Sequence, residues 1–185
     1  MSLTYFRKLI LYTLIVLGMS VGYFIYAYTV YPASSQRETF LSEIGEGFGV
    51  LGVWGLTFIY GRTLLKLFMG KGPLAKRLIP NYTAPVTVSL FQSLLNFLNK
   101  THVYVGVATV AVILLHIVLT GGLTNNLFFL AILILIIWQG LFGLFISWKY
   151  SPKELKKFAF MVHAQFLTGV IIGIFTLFGH LLVDK

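Results

Sequence analysis

Four histidines, His102, His116, His163 and His180, carry most of the chemical potential of this chain. All four fall within strongly apolar runs, where an ionisable side chain is expensive and reads by default as functional. His102 and His116 are fourteen residues apart. At 3.6 residues per turn that is nearly four turns, so both rings leave one helix face about 21 Å apart. His163 and His180 sit two apolar runs further on, on a helix that must point the same way as the first. His102 and His163 then lie at one depth and His116 and His180 at another, each couple facing across a gap between helices.

Two imidazoles facing each other are what a low-spin haem iron takes as its axial ligands. Two such sites at different depths would form an electron path through an insulating layer. Zinc is the competing use of histidine, but it normally gathers four ligands at one point, and these couples are too far apart in depth for that. Hydrogen-bonding or proton-relay histidines are the remaining alternative. One spacing is irregular. His163 and His180 are seventeen residues apart, roughly 100° off a shared face in a straight helix and about 4.5 Å longer in rise than the first couple. Tilt, a π-bulge or a bend near Gly169, Gly173 or Gly179 is expected to absorb the difference.

The elements that must hold these rings are membrane helices. Of 185 residues, 58% are hydrophobic and 10% are charged, where a soluble domain carries about 25% charge. Mean hydropathy is +0.89. The apolar runs predict five spans, at about 9–30, 44–69, 102–120, 127–148 and 158–183, and hence an all-α integral membrane bundle forming one domain over 1–185. Arg7 and Lys8 before the first run resemble the start of a signal peptide, but the run is too long for one and reads as a retained helix. The stretch Val88–Leu98 has helical periodicity and is expected to lie flat in the interface. Ser151 is the expected N-cap of the last helix, with Pro152 at its first position and Glu154 at its third.

There is no cysteine, which excludes disulfides, CxxCH haem attachment and iron–sulfur ligation. The net charge of +9 reads as membrane orientation rather than nucleic-acid binding, because the basic residues flank apolar runs. Arg7, Lys8, Arg62, Lys66, Lys71, Lys76, Arg77, Lys100, Lys149, Lys153, Lys156 and Lys157 fall on one side of the five-span topology, and only Arg37 and Lys185 on the other. The positive-inside rule then puts the N-terminus in the cytoplasm and the C-terminus outside, in a cell inner membrane or plasma membrane.

A helix bearing His, thirteen residues, then His, followed two spans later by a second helix with two histidines, resembles the ferric reductase-like transmembrane domain of NADPH oxidases and ferric reductases. Cytochrome b of quinol-oxidising complexes uses a similar two-plus-two arrangement. The resemblance covers residues 100–183 and rests on spacing. It implies axial pairs His102 with His163 and His116 with His180, two haem b groups, and membrane electron relay. The second spacing is longer than in those families. No flavin- or nicotinamide-binding domain follows Val183, so the expected donor is a redox partner protein or a quinol, and the chain is expected to be a subunit of a larger membrane complex. A reductase acting directly on a quinone, metal or oxygen is the first alternative, and a haem-free anchor subunit the second.

Other residues have weaker claims. Arg62, Lys66 and Lys100 fall near the depth of the inner couple, where they would pair with haem propionates; snorkelling is the plainer role for Lys66 and an equal alternative for Arg62. Glu43 and Glu46 stand at the outer start of the second span, suited to a quinol or proton site and equally to a solvated helix N-terminus. Trp138 and Gln139 lie mid-span, and core packing is the simpler role of Trp138 than a position between two haems. Gly47, Gly49 and Gly52 fit GxGxxG by count, but in an apolar span with no preceding strand they carry no dinucleotide site. The wider set Gly45, Gly49, Gly52 and Gly55 reads as close helix or haem packing. Tyr23, Tyr26, Tyr28, Tyr31 and Trp148 read as interfacial belt residues.

Overall fold

The computed structural model describes residues 2–30, 39–72, 75–76, 89–120, 126–163 and 166–183. Its principal elements are α1 (Ser2–Val30), α2 (Phe40–Phe68), α3 (Ser89–Leu119), α4 (Leu127–Ser147), α5 (Lys153–His163) and α6 (Phe166–Val183). All but α5 are long and apolar enough to cross a membrane. Large apolar side chains such as Leu11, Met19, Val50, Val107, Val118 and Ile134 face outward. In water this surface would be a strong drive to aggregate; in a bilayer it meets hydrocarbon of its own polarity. The chain is a multi-pass, all-α membrane protein.

Local chemistry fixes the helix ends. Thr39 and Ser42 form a capping box at the start of α2, the Thr39 Oγ1 accepting from the Ser42 N–H at 3.2 Å and the Ser42 Oγ from the Thr39 N–H at 2.9 Å. At the far end, Lys71 N–H donates to Lys66 O at 2.7 Å and Gly70 N–H to Leu67 O at 3.0 Å. This is a Schellman ending, and Gly70 supplies the left-handed backbone it requires, at φ 65°. Asn126 caps α4, its side chain accepting from the Phe128 N–H at 3.0 Å. The same amide donates to the Gly179 carbonyl at 3.0 Å and so ties the start of α4 to the end of α6.

The glycines of α2 define the tightest packing. A Cβ at Gly45 would stand 2.8 Å from Thr120, one at Gly49 would stand 2.9 Å from His116, and one at Gly52 would stand 2.9 Å from Ile113; Gly55 would meet Thr109. The contacts run down α2 and up α3, so the two helices are antiparallel and share one small-residue seam. Without a hydrophobic force between helices in lipid, such close approach is what holds them. Of the two uses expected for this glycine set, helix packing is the one the side chains of α3 fill. Ile132, Ile136 and Ile172 form the central core, with Leu56, Val110, Ile113, Phe129, Leu135 and Phe175 around them. That apolar plug, drawn from α2, α3, α4 and α6, occupies the middle of the bundle.

Three expectations change. The third span is one continuous helix of 31 residues, Ser89–Leu119, about 46 Å long against an apolar core of about 30 Å. Residues 89–98 are its first turns rather than a separate helix lying flat. Their polar groups are served without leaving the helix: Lys71 Nζ donates to Gln92 Oε1, and Gln92 Nε2 to Asn96 Oδ1 at 3.2 Å. The fifth run, expected as one helix over 158–183, is carried by two, α5 and α6, and α6 spans Gly169, Gly173 and Gly179. Ser151 does not cap α5. Its Oγ is buried without a hydrogen-bond partner among the described residues, and the Pro152 carbonyl takes the first helical bond, from the Lys156 N–H at 2.9 Å.

Candidate functional site

The structure brings the four histidines together in two couples. The His102 and His163 ring centres are 6.0 Å apart with their planes at 67°. The His116 and His180 ring centres are 6.3 Å apart, with planes at 17°. The helices that carry them do not pack closely: α3 lies against α2 and α4, while α6 lies against α1 and α4. The imidazoles therefore reach across a separation that the backbones leave open.

These distances have a chemical meaning. Two metal–nitrogen bonds of about 2.0–2.1 Å in line, plus about 1.1 Å from each nitrogen to its ring centre, put two imidazole centres about 6.2–6.4 Å apart. Both couples fall at or just inside this spacing. Among the described residues no group of three or more His, Cys, Asp or Glu side chains gathers around a common point. Each couple thus sets two imidazoles near each other with no third such side chain beside them among the described residues.

The tautomers suit the same purpose. His116 Nδ1 lies 2.8 Å from the Gly45 carbonyl oxygen, His163 Nδ1 lies 3.0 Å from that of Gln139, and His180 Nδ1 lies 2.9 Å from that of Thr176. A carbonyl can only accept, so Nδ1 carries the proton and donates in each case. Nε2 is left with its lone pair free for a metal, and the hydrogen bond fixes the ring's direction.

Two of these anchors are built alike. The ring of His116 lies over Gly49, four residues after the accepting Gly45; the ring of His163 lies over Gly143, four residues after the accepting Gln139. A Cβ would stand 2.9 Å from the first ring and 3.1 Å from the second. A helical carbonyl already accepts from the amide four residues on, and a glycine at that place leaves its second lone pair open to a neighbouring helix. The glycine at that place lets an imidazole from a neighbouring helix approach. The sequence alone singles out neither Gly143 nor the main-chain role of Gln139. A glycine four residues from a candidate acceptor, on a helix next to a histidine, is the signal that finds them.

Other candidate residues are placed as follows. Arg62 and Lys66 lie within electrostatic reach of His102, and Arg62 also of His163. Arg62 is half-buried, and its Nε is buried without a partner among the described residues, as is His102 Nδ1. Lys100 is exposed on α3. Glu43 and Glu46 are exposed, flanking Gly45. Trp138 is 49% exposed and packs edge-on against Phe142 at 4.7 Å; it faces outward and does not stand between the couples. Phe129 fills that side instead, its ring 5.2 Å from His180. Tyr23, expected in the interfacial belt, also hydrogen-bonds the Leu127 N–H at 3.3 Å. Tyr31 lies outside the described residues.

Compared with protein-family models, curated proteins and solved structures, the chain matches none.

Proposed function

We propose that this chain is a b-type cytochrome subunit of a membrane electron-transfer complex, holding one haem between His102 and His163 and a second between His116 and His180. The observation that carries this reading is the pair of imidazole separations, 6.0 and 6.3 Å, between α3 on one side and α5 and α6 on the other, which do not otherwise touch closely. A bare ion would need more protein ligands at each point. A tetrapyrrole brings its own four in-plane nitrogens and asks the protein only for the two axial ones. The Arg62 Nε, which has no partner among the described residues, supports the same reading, because a haem carries propionates that such a cation would pair with.

When bound, haem b supplies one-electron redox chemistry, which the protein itself cannot. The chain's residues would orient it and insulate it. Gly45, Gln139 and Thr176 lend the carbonyls that aim three of the four rings. The Ile132–Ile136–Ile172 plug keeps water and ions from the middle of the bundle. The electron donor and acceptor are a redox partner protein or a quinone, with lipid around the apolar faces. The N-terminus lies in the cytoplasm of a cell inner membrane or plasma membrane, from the basic residues that cluster at one end of the bundle.

An absorption spectrum of the purified protein tests the proposal. The expected result is a reduced α band typical of b-type cytochromes, with two haems per chain. A preparation that stays free of this band after haem is supplied would sink the reading and leave an anchor subunit.

A further inference from the structure

The end of α2 and the start of α3 do not close on each other. Between them runs an open groove of about 550 Å³ lined by apolar residues, among them Phe58, Gly61 and Phe68 from α2 and Phe91, Leu94 and Leu98 from α3. That volume falls in the range of small-ligand clefts. Space opens over Gly61. A Cβ there would meet nothing within 4 Å, whereas Cβ atoms at Gly45, Gly49, Gly52 and Gly55 on the same helix would each run into side chains of α3. Glycine weakens a helix interior, and no side chain among the described residues takes up the room this one leaves.

Length and charge say what fills the groove. From Phe58 to Phe68 the helix rises about 15 Å, half of a hydrocarbon core of about 30 Å, so the groove fits one lipid chain in one leaflet. At its end the Phe68 and Phe91 rings meet at 5.9 Å, and just past them Lys71 Nζ donates to Gln92 Oε1. Lys71 is exposed, as is Lys76 after it. An ammonium has three donors and the Gln92 amide is neutral, so this contact does not cancel the charge. Neither helix supplies an acid beside it, because residues 47–153 contain no Asp or Glu. An apolar cleft between membrane helices that ends in uncompensated basic charge matches the two parts of an anionic phospholipid. A second copy of the chain suits it less well. In the same membrane it would bring its own Lys71 to the same depth, like charge against like charge.

We infer that the groove is a lipid site, holding one acyl chain of an anionic phospholipid along residues 58–68 with the phosphate beside Lys71. This goes beyond the electron-transfer reading and does not rest on it.

Native mass spectrometry of the full chain in mild detergent tests the inference, with phosphatidylglycerol or phosphatidylcholine of identical chains added. The wild type is expected to retain one phosphatidylglycerol in preference to phosphatidylcholine. Glycerol phosphate, which lacks the chains, should not bind. Lys71→Gln should weaken phosphatidylglycerol by about fivefold, the share of one lysine at an anionic surface, and leave phosphatidylcholine as it was. Gly61→Leu, which fills the groove, should weaken both lipids. Equal retention of the two headgroups by the wild type, a Lys71→Gln chain that keeps the full preference, glycerol phosphate bound as tightly as the lipid, or a Gly61→Leu chain that holds lipid as well as the wild type would overturn the inference. So would a lipid-free dimer that Gly61→Leu splits, which would assign the groove to a second copy. Should the Gly61 variant fail to fold, the Lys71→Gln comparison decides.

Discussion

The His163 imidazole lies over Gly143, where a Cβ would stand 3.1 Å from its Cε1, and this closeness is what lets Nδ1 reach the Gln139 carbonyl one turn back. Gly49 gives His116 the same access to Gly45. Each couple therefore has one imidazole aimed by the main chain of a neighbouring helix, across a glycine.

Replacing either glycine by alanine should cost the haem on its own couple and spare the other. The added methyl overpacks a rigid ring rather than a flexible chain end, which costs about 1–3 kcal/mol and turns the ring off its carbonyl. Gly143→Ala should empty the His102–His163 site, and Gly49→Ala the His116–His180 site. Haem content per chain by pyridine haemochrome assay, expected to fall by half in each variant, checks this. Equal loss from both sites would mean that the glycines serve only the bundle as a whole.

The pairing itself makes a non-additive prediction. Residues that hold one ligand jointly do not contribute independently. His102→Ala and His163→Ala should each remove the same haem, and the double variant should lose no more than either alone. His102→Ala combined with His116→Ala should remove both. If the His102, His163 double variant is left with no haem, the couples are not the binding units.

Much of the fold is readable because hydropathy is a one-dimensional signal. The apolar runs place five helices close to where they stand, and the fourteen-residue interval puts His102 and His116 on one face. The second interval, His163 to His180, is out of phase for a straight helix, and the two rings reach their partners from separate segments, α5 and α6. The N-terminal extension of α3 is hidden because Gln92, Asn96 and Lys100 depress its hydropathy. Those polar groups are accommodated at the helix end, Gln92 by Lys71 from beyond α2, a contact between residues that no local window joins. Trp138 is ambiguous for the opposite reason: in a bilayer an aromatic ring is equally at home facing the core or the lipid, so its type says nothing about its direction. The glycine seams are visible as glycines, but which helix fills them depends on packing.

Asn126 should matter more to stability than a turn residue normally does. It caps α4 through the Phe128 N–H and holds the Gly179 carbonyl beside His180, and it is buried. Asn126→Ala loses a cap worth about 0.5–2 kcal/mol and a hydrogen bond worth about 1 kcal/mol. Asn126→Ser keeps the cap but is too short to reach Gly179, so it should fall between the two. Thermal unfolding in detergent should rank wild type above the serine variant, and that above alanine. If serine were as damaging as alanine, the tie to Gly179 would outweigh the cap, which would then contribute little.

The orientation can be tested without background, since the chain has no cysteine of its own. Glu43 stands at the capped start of α2 and Lys153 at the start of α5, both exposed, and the five-span order puts them on opposite sides. The basic residues gather on the Lys153 side, which by the positive-inside rule is the cytoplasm. Glu43→Cys should react with a membrane-impermeant maleimide in intact cells, and Lys153→Cys only after permeabilisation. Lys153 begins the helix that ends at His163, so this labelling pattern would put the His102–His163 couple towards the cytoplasm. Reversed labelling would turn the orientation around without disturbing either couple.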